Sequence, residues 1–86
     1  MLVRIPTPLR SYTGNVSQVH AAGTTVAELF ADLDQQFPGI RFRMVDEQGR
    51  LRQHMKVWVG PEAVRELDTA VSEADEITIM QALSGG

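Results

Sequence analysis

The chain runs Met80-Gln81-Ala82-Leu83-Ser84 into Gly85-Gly86, and these last two residues carry its strongest chemical signal. Glycine loses more backbone entropy on ordering than any other residue, so a pair of them inside a fold is costly. At the final positions they cost the fold nothing. They leave a thin strip of main chain whose carboxylate has no neighbouring side chain. A narrow active site on another protein admits such a strip where it would reject a branched residue. Taken alone, the dipeptide fits a frayed end as well as a functional one.

Little else in the chain offers reactive groups. Cysteine is absent, which excludes disulfides, thiolate metal sites and cysteine nucleophiles. His20 and His54 are the only histidines and lie far apart in sequence, so they read as surface or strand-edge residues rather than metal ligands. No paired acid, base and nucleophile stand out, so the chain is not expected to be an enzyme or to bind a metal or cofactor itself. A net charge of −3 and a pI near 5.2 argue against a nucleic-acid partner. No apolar run approaches the roughly 18 residues that span a bilayer, and Arg4 and Pro6 interrupt the first apolar stretch, against a secretory leader. The expected location is the cytoplasm, with no membrane partner.

The elements that must position the tail follow from periodicity. Leu2-Val3-Arg4-Ile5 is a short β-prone run stopped by Pro6 and Pro8. Gly14-Asn15 marks a turn before a second, weaker strand over 16–21. Thr25 with Glu28 three positions on fits a capping box. Val26, Leu29, Phe30, Leu33 and Phe37 then recur at helical spacing until Pro38-Gly39, which predicts a helix over 25–36. Met55, Val57 and Val59 alternate with polar residues and Trp58 as a half-buried strand. Gly60-Pro61 suits a type II′ turn into a short return strand at 62–65. Leu67 and Val71 tuck inward from a polar, turn-like stretch over 67–74. Glu76 to Met80 is the last strand, with Ile77 and Ile79 on one side and Thr78 and Met80 on the other.

Strand, strand, helix, strand, short strand, strand is the order of an α+β, β-grasp (ubiquitin-like) domain: a mixed sheet of four to five strands on one main helix. Its first and last strands should lie parallel at the centre, joined through the helix crossover. The expected core is Val3, Ile5, Val19, Val26, Leu29, Phe30, Leu33, Val57, Val59, Leu67, Ile77 and Ile79. The domain should occupy residues 1–80, with 81–86 as a flexible Gly-Gly tail.

Asp75 to Gly86, an acidic turn leading into a final strand and a Gly-Gly end, resembles the closing segment of the MoaD/ThiS family of ubiquitin-like sulfur carriers. Ile5-Pro6-Thr7-Pro8-Leu9-Arg10, the Thr-capped helix, Pro38-Gly39-Ile40, Asp46-Glu47 with Gly49, and Val57-Trp58-Val59 extend the similarity over nearly the whole chain, and it is most like the CysO-type branch of cysteine biosynthesis. Two positions depart from the family pattern. Gly60-Pro61 stands where Asn-Gly is common, and Ala74 stands where glycine often does; a left-handed Ala74 would cost about 1 kcal/mol.

The resemblance implies that Gly86 carries the sulfur. An activating enzyme of the MoeB/ThiF type would spend ATP to adenylate its carboxylate. A sulfur donor would displace AMP to leave a thiocarboxylate, and an acceptor synthase such as a cysteine-synthase-like enzyme would take the sulfur; molybdopterin or thiamine routes are served by similar carriers. Gly85, Ser84 and Leu83 would be needed for access to partner sites. Trp58 and Met80, out of phase with the core, would form an exposed partner interface together with Leu83. The acidic Glu73, Asp75 and Glu76 would be a solvated turn or would steer a basic partner. Two other functional classes fit the same features: a ubiquitin-like modifier conjugated to lysines through Gly86, and a binding domain whose glycines have no role.

Overall fold

The computed structural model describes residues 1–82. The expectations placed on Leu83, Ser84, Gly85 and Gly86 lie outside those residues. Five strands, β1 (Leu2–Arg4), β2 (Gln18–His20), β3 (Met55–Val59), β4 (Glu62–Val64) and β5 (Glu76–Gln81), form one sheet in the order β2-β1-β5-β3-β4. β1 and β5 run parallel with Val3 opposite Ile77, and the other pairs are antiparallel. This is the expected β-grasp arrangement, with the first and last strands adjacent.

Helix α1 (Val26–Gln36) covers the inner face of the sheet and buries Val26, Leu29, Phe30 and Leu33. Thr25 caps it as its sequence suggests, its hydroxyl accepting from the Glu28 N–H at 3.2 Å. The return bond differs from a simple capping box. The Glu28 carboxylate accepts from the Thr24 N–H at 2.9 Å and the Thr24 hydroxyl at 2.8 Å, one residue earlier than expected. These bonds, the backbone one first, hold the Glu28 carboxyl below its ordinary range by favouring the charged form. Chain entry into α1 also demands Gly23, because a Cβ there would stand 2.6 Å from the Leu29 nitrogen.

Of the twelve expected core residues, Val19, Val59 and Leu67 are only partly buried, whereas the rest are enclosed. Val19 sits on an edge strand, Val59 precedes the β3–β4 turn, and Leu67 lies in a loop. The core gains residues from two elements the periodicity did not reveal. A 3₁₀ helix (Thr7–Thr13) buries Leu9, and helix α2 (Ile40–Met44) buries Ile40 and Met44. Pro6 and Pro8 do end the first strand, but Pro8 also opens the 3₁₀ helix, where its missing N–H is not needed. In α2, Ile40, Phe42 and Met44 alternate with arginines as a strand would. The fold instead pairs Ile40 with Met44 on one helical face and leaves Phe42 exposed. One oxygen of Asp34 joins the helices, accepting from the N–H groups of Gly39 and Arg41, each at 3.1 Å.

The β3–β4 connection has the two central residues expected, with Gly60 at φ +57. Pro61 cannot follow with positive φ, which excludes type I′ and agrees with the expected type II′ turn in the signs of φ. Among the described residues Asn15 is the one non-glycine with positive φ, so Ala74 carries no left-handed strain.

Candidate docking face and tail root

Because β5 is central, the chain leaves the body between strands rather than from an edge. Gln81 still pairs with Met55 in β3, and the Ala82 N–H donates to the His54 carbonyl at 2.8 Å. The body therefore holds the chain through Ala82, two residues past the expected boundary at Met80. Residues 83–86 span at most about 14 Å when extended.

The sheet face turned away from α1 is ordered by strand register. Gln18, Arg4, Thr78, Trp58 and Ala63 lie in one row across it, and Met80 sits opposite Lys56 in the next. The predicted phase holds: Val57, Ile77 and Ile79 are buried, whereas Met80 is 48% exposed. Trp58 lies on the expected face but is half-buried rather than exposed. β3 has neighbours on both sides, and the small residues Ala63 and Thr78 directly flank the indole. Its Nε1 is enclosed with no acceptor among the described residues.

Two grooves flank Gln81. On the outer side, a groove of about 530 Å³ runs between the start of the 3₁₀ helix and β5, with Pro6, Pro8, Arg10 and Met80 in its wall. On the helix side, a groove of about 330 Å³ is lined by Phe42, Arg43, Arg52, His54 and Gln81. Arg52 lies over the exposed Phe42 ring, 4.8 Å from its centre, and its Nε donates to the Phe42 carbonyl at 2.9 Å. Arg65, just after β4, holds this region in place by donating to the carbonyls of Leu51, Arg52 and Met55. The motif-led reading missed this second groove. Its signal is the run Arg41, Arg43, Arg50, Arg52 and Lys56, which holds most of the eight cations of the chain.

The acidic cluster makes local contacts while its Glu73 and Glu76 side chains stay largely exposed. Glu73 lies 3.2 Å from the Met1 amino group, and Glu76 pairs with Arg4 at 2.7 Å. Asp75 accepts from the Ser72 N–H at 2.8 Å. Among the described residues no group of three histidine, aspartate or glutamate side chains could hold a metal ion, and His20 and His54 are both exposed. No helix of the described residues is long and apolar enough to cross a membrane.

A profile of the ThiS family matches residues 3–86. The sulfur carrier protein CysO of Mycobacterium tuberculosis is 37% identical over 89 residues, covering 98% of this chain and 96% of its own. Among solved structures, the BexX/CysO complex of Amycolatopsis orientalis superposes with a TM-score of 0.91 at 39% identity, covering 99% of this chain and 98% of that one. SAMP1 of Haloferax volcanii, a small archaeal modifier protein, superposes with a TM-score of 0.77 at 26% identity, covering 100% and 98%.

Proposed function

The chain belongs to the ThiS family, and from that premise we propose that it is a sulfur carrier whose working atom is the C-terminal carboxyl of Gly86. The observation that carries this reading is the near-full-length relationship to CysO, a sulfur carrier protein, in a chain that ends Gly85-Gly86. The chemistry needs no side chain of its own. A free carboxylate is unreactive toward sulfur nucleophiles, so an activating enzyme of the MoeB/ThiF type joins it to the α-phosphate of ATP and releases pyrophosphate. A sulfur donor then attacks the acyl carbon, AMP leaves, and a thiocarboxylate remains. An acceptor enzyme of the cysteine-synthase type takes that sulfur, as the kinship with CysO favours.

The body's part is to present the tail. The four residues beyond Ala82 reach at most about 14 Å, so a partner must bring its reactive centre close to the body and bind the surface around Gln81. Met80 and Phe42 are exposed large apolar contacts there, with Trp58 supporting Met80 from the neighbouring row. Glycine at 85 leaves room for a channel shaped to bare backbone.

The test is intact-mass measurement after incubation with the cognate activating enzyme, ATP and sulfide. The carrier should gain the mass difference of one sulfur for one oxygen, at Gly86. Deleting Gly86 should abolish the gain while leaving the fold intact. A mass unchanged in the wild-type chain refutes the proposal. The likeness to the archaeal modifier protein supports a second reading, transfer of the activated Gly86 to lysines of other proteins. Isopeptide conjugates, rather than a thiocarboxylate, would decide for it.

A further inference from the structure

We propose that the tail root is set in a cationic collar that docks on an acidic rim around the tail-receiving channel of the activating enzyme. This rests on the carrier reading above and adds the chemistry of the surface that must receive it.

The chain as a whole is acidic, with 11 carboxylate residues against 8 cations. Around Gln81 the balance reverses. The two grooves beside it are lined by Arg4, Arg10, Arg43 and Arg52, and no aspartate or glutamate lines either. Lys56 adds a further cation, directly opposite Met80. Of these, only Arg4 is neutralised by an ion pair among the described residues, through Glu76.

Two of the arginines, one on each side of the exit, are held in the same way. Arg10 donates from Nε to the Ile5 carbonyl at 3.0 Å, and Arg52 donates from Nε to the Phe42 carbonyl at 2.9 Å. In both, the main chain takes the Nε–H. The terminal Nη groups, the fork that matches a carboxylate, have no partner among the described residues. Asp46 is the carboxylate whose charge state feels Arg52, as the weakest of several influences. Its oxygen is already occupied by the N–H groups of Gln48 and Arg50.

Gathering like charges at one end of an acidic domain is mutually repulsive and returns nothing to folding. Opposite charge on a partner offsets that cost. The apolar pieces between the cations, Phe42, Pro8 and Met80, suit a protein surface rather than a polyanion. A docked rim of aspartates and glutamates would speed encounter and orient the tail toward the channel mouth, which is what complementary charge does best.

Stopped-flow association with the cognate activating enzyme tests this, using the full chain at about 20 mM and about 300 mM salt, on either side of the range where screening sets in. The wild-type association rate should fall at least about tenfold with salt, and Arg43→Glu with Lys56→Glu should lower the low-salt rate by about tenfold. Both side chains are exposed, so the folded body should be unchanged by circular dichroism. Arg50→Glu makes the same charge change as Arg43→Glu alone, at a residue outside both grooves, and should alter the rate less than about twofold. Equal effects of Arg43→Glu and Arg50→Glu, or a rate indifferent to salt, would overturn the proposal. So would salt-sensitive self-association by sedimentation, which would make the collar a contact between copies of this chain. The carrier reading fails separately, by an unchanged mass at Gly86 in the wild-type chain.

Discussion

Arg65 offers the sharpest test of how the tail root is held. Its Nη1 donates to the Met55 carbonyl at 3.0 Å, and its Nη2 donates to the carbonyls of Leu51 at 3.0 Å and Arg52 at 3.2 Å. One side chain thus ties the segment entering β3 to the end of β4. Hydrogen bonds to a charged donor contribute about 1.5–3 kcal/mol each, but three bonds that share one guanidinium do not add. The Arg52 carbonyl is exposed and rehydrates when the partner is removed. Counting the two part-buried bonds at about 1 kcal/mol each, with a little for the lost aliphatic stem, Arg65→Ala should cost about 2–3 kcal/mol. Arg65→Lys keeps the charge but offers a point donor in place of a fork, so it should recover only about 1 kcal/mol. Urea unfolding followed by Trp58 fluorescence reads this directly, since Trp58 is the one tryptophan. With a slope near 1 kcal/mol per molar, the Arg65→Ala midpoint should fall by about 2–3 M. Arg50→Ala, at an exposed arginine whose one side-chain hydrogen bond among the described residues goes to Gln48, should change stability by less than about 0.5 kcal/mol. A loss below about 0.7 kcal/mol for Arg65→Ala, or a lysine as good as arginine, would show that the carbonyls are satisfied without the fork.

Leu33 is fully enclosed on α1, so Leu33→Ala should cost about 2–5 kcal/mol in the same urea assay. Trp58→Phe removes an indole N–H that has no acceptor among the described residues, and calorimetry should find it neutral within about 1 kcal/mol; a loss above about 2 kcal/mol would mean that the N–H is bonded after all. Gly23→Ala places a Cβ 2.6 Å from the Leu29 nitrogen and should lower stability by about 1–3 kcal/mol, whereas an unchanged melting temperature would mean that the chain entering α1 can shift freely. The Glu28 carboxyl is held below its ordinary value of 4.5 by Thr24, so in acid the unfolded chain binds its proton first. Its contribution is therefore complete above pH 4.5 and is lost as pH falls through the folded value. Glu28→Gln should flatten that part of the stability–pH profile, and a profile parallel to the wild type would refute the linkage.

Short-range patterns were enough for the elements whose signals are local. The helix from Val26, its Thr25 cap, the phase of β3 and β5, and the Gly60-Pro61 turn each depend on residues within a few positions of one another. The order of those elements then leaves few topologies, so the parallel pairing of β1 with β5 was legible as well. The Gly85-Gly86 pair, and the proposal built on it, also come from the sequence, because the described residues stop at Ala82. Tertiary structure alone decided what depends on neighbours distant in sequence. Ile40-Arg41-Phe42-Arg43-Met44 has the alternation of a strand, but closing the core below the sheet needed Ile40 and Met44 on one helical face, and that put Phe42 outside beside Arg52. Trp58 took its predicted face, yet it is half-buried, in a central strand with Ala63 and Thr78 paired to it from the two neighbouring strands. The cations around Gln81 come from β1, the 3₁₀ helix, α2, the segment leading into β3 and β3 itself. Their meeting at one exit is a product of packing, since charge has no periodicity that would foretell which residues the fold brings together.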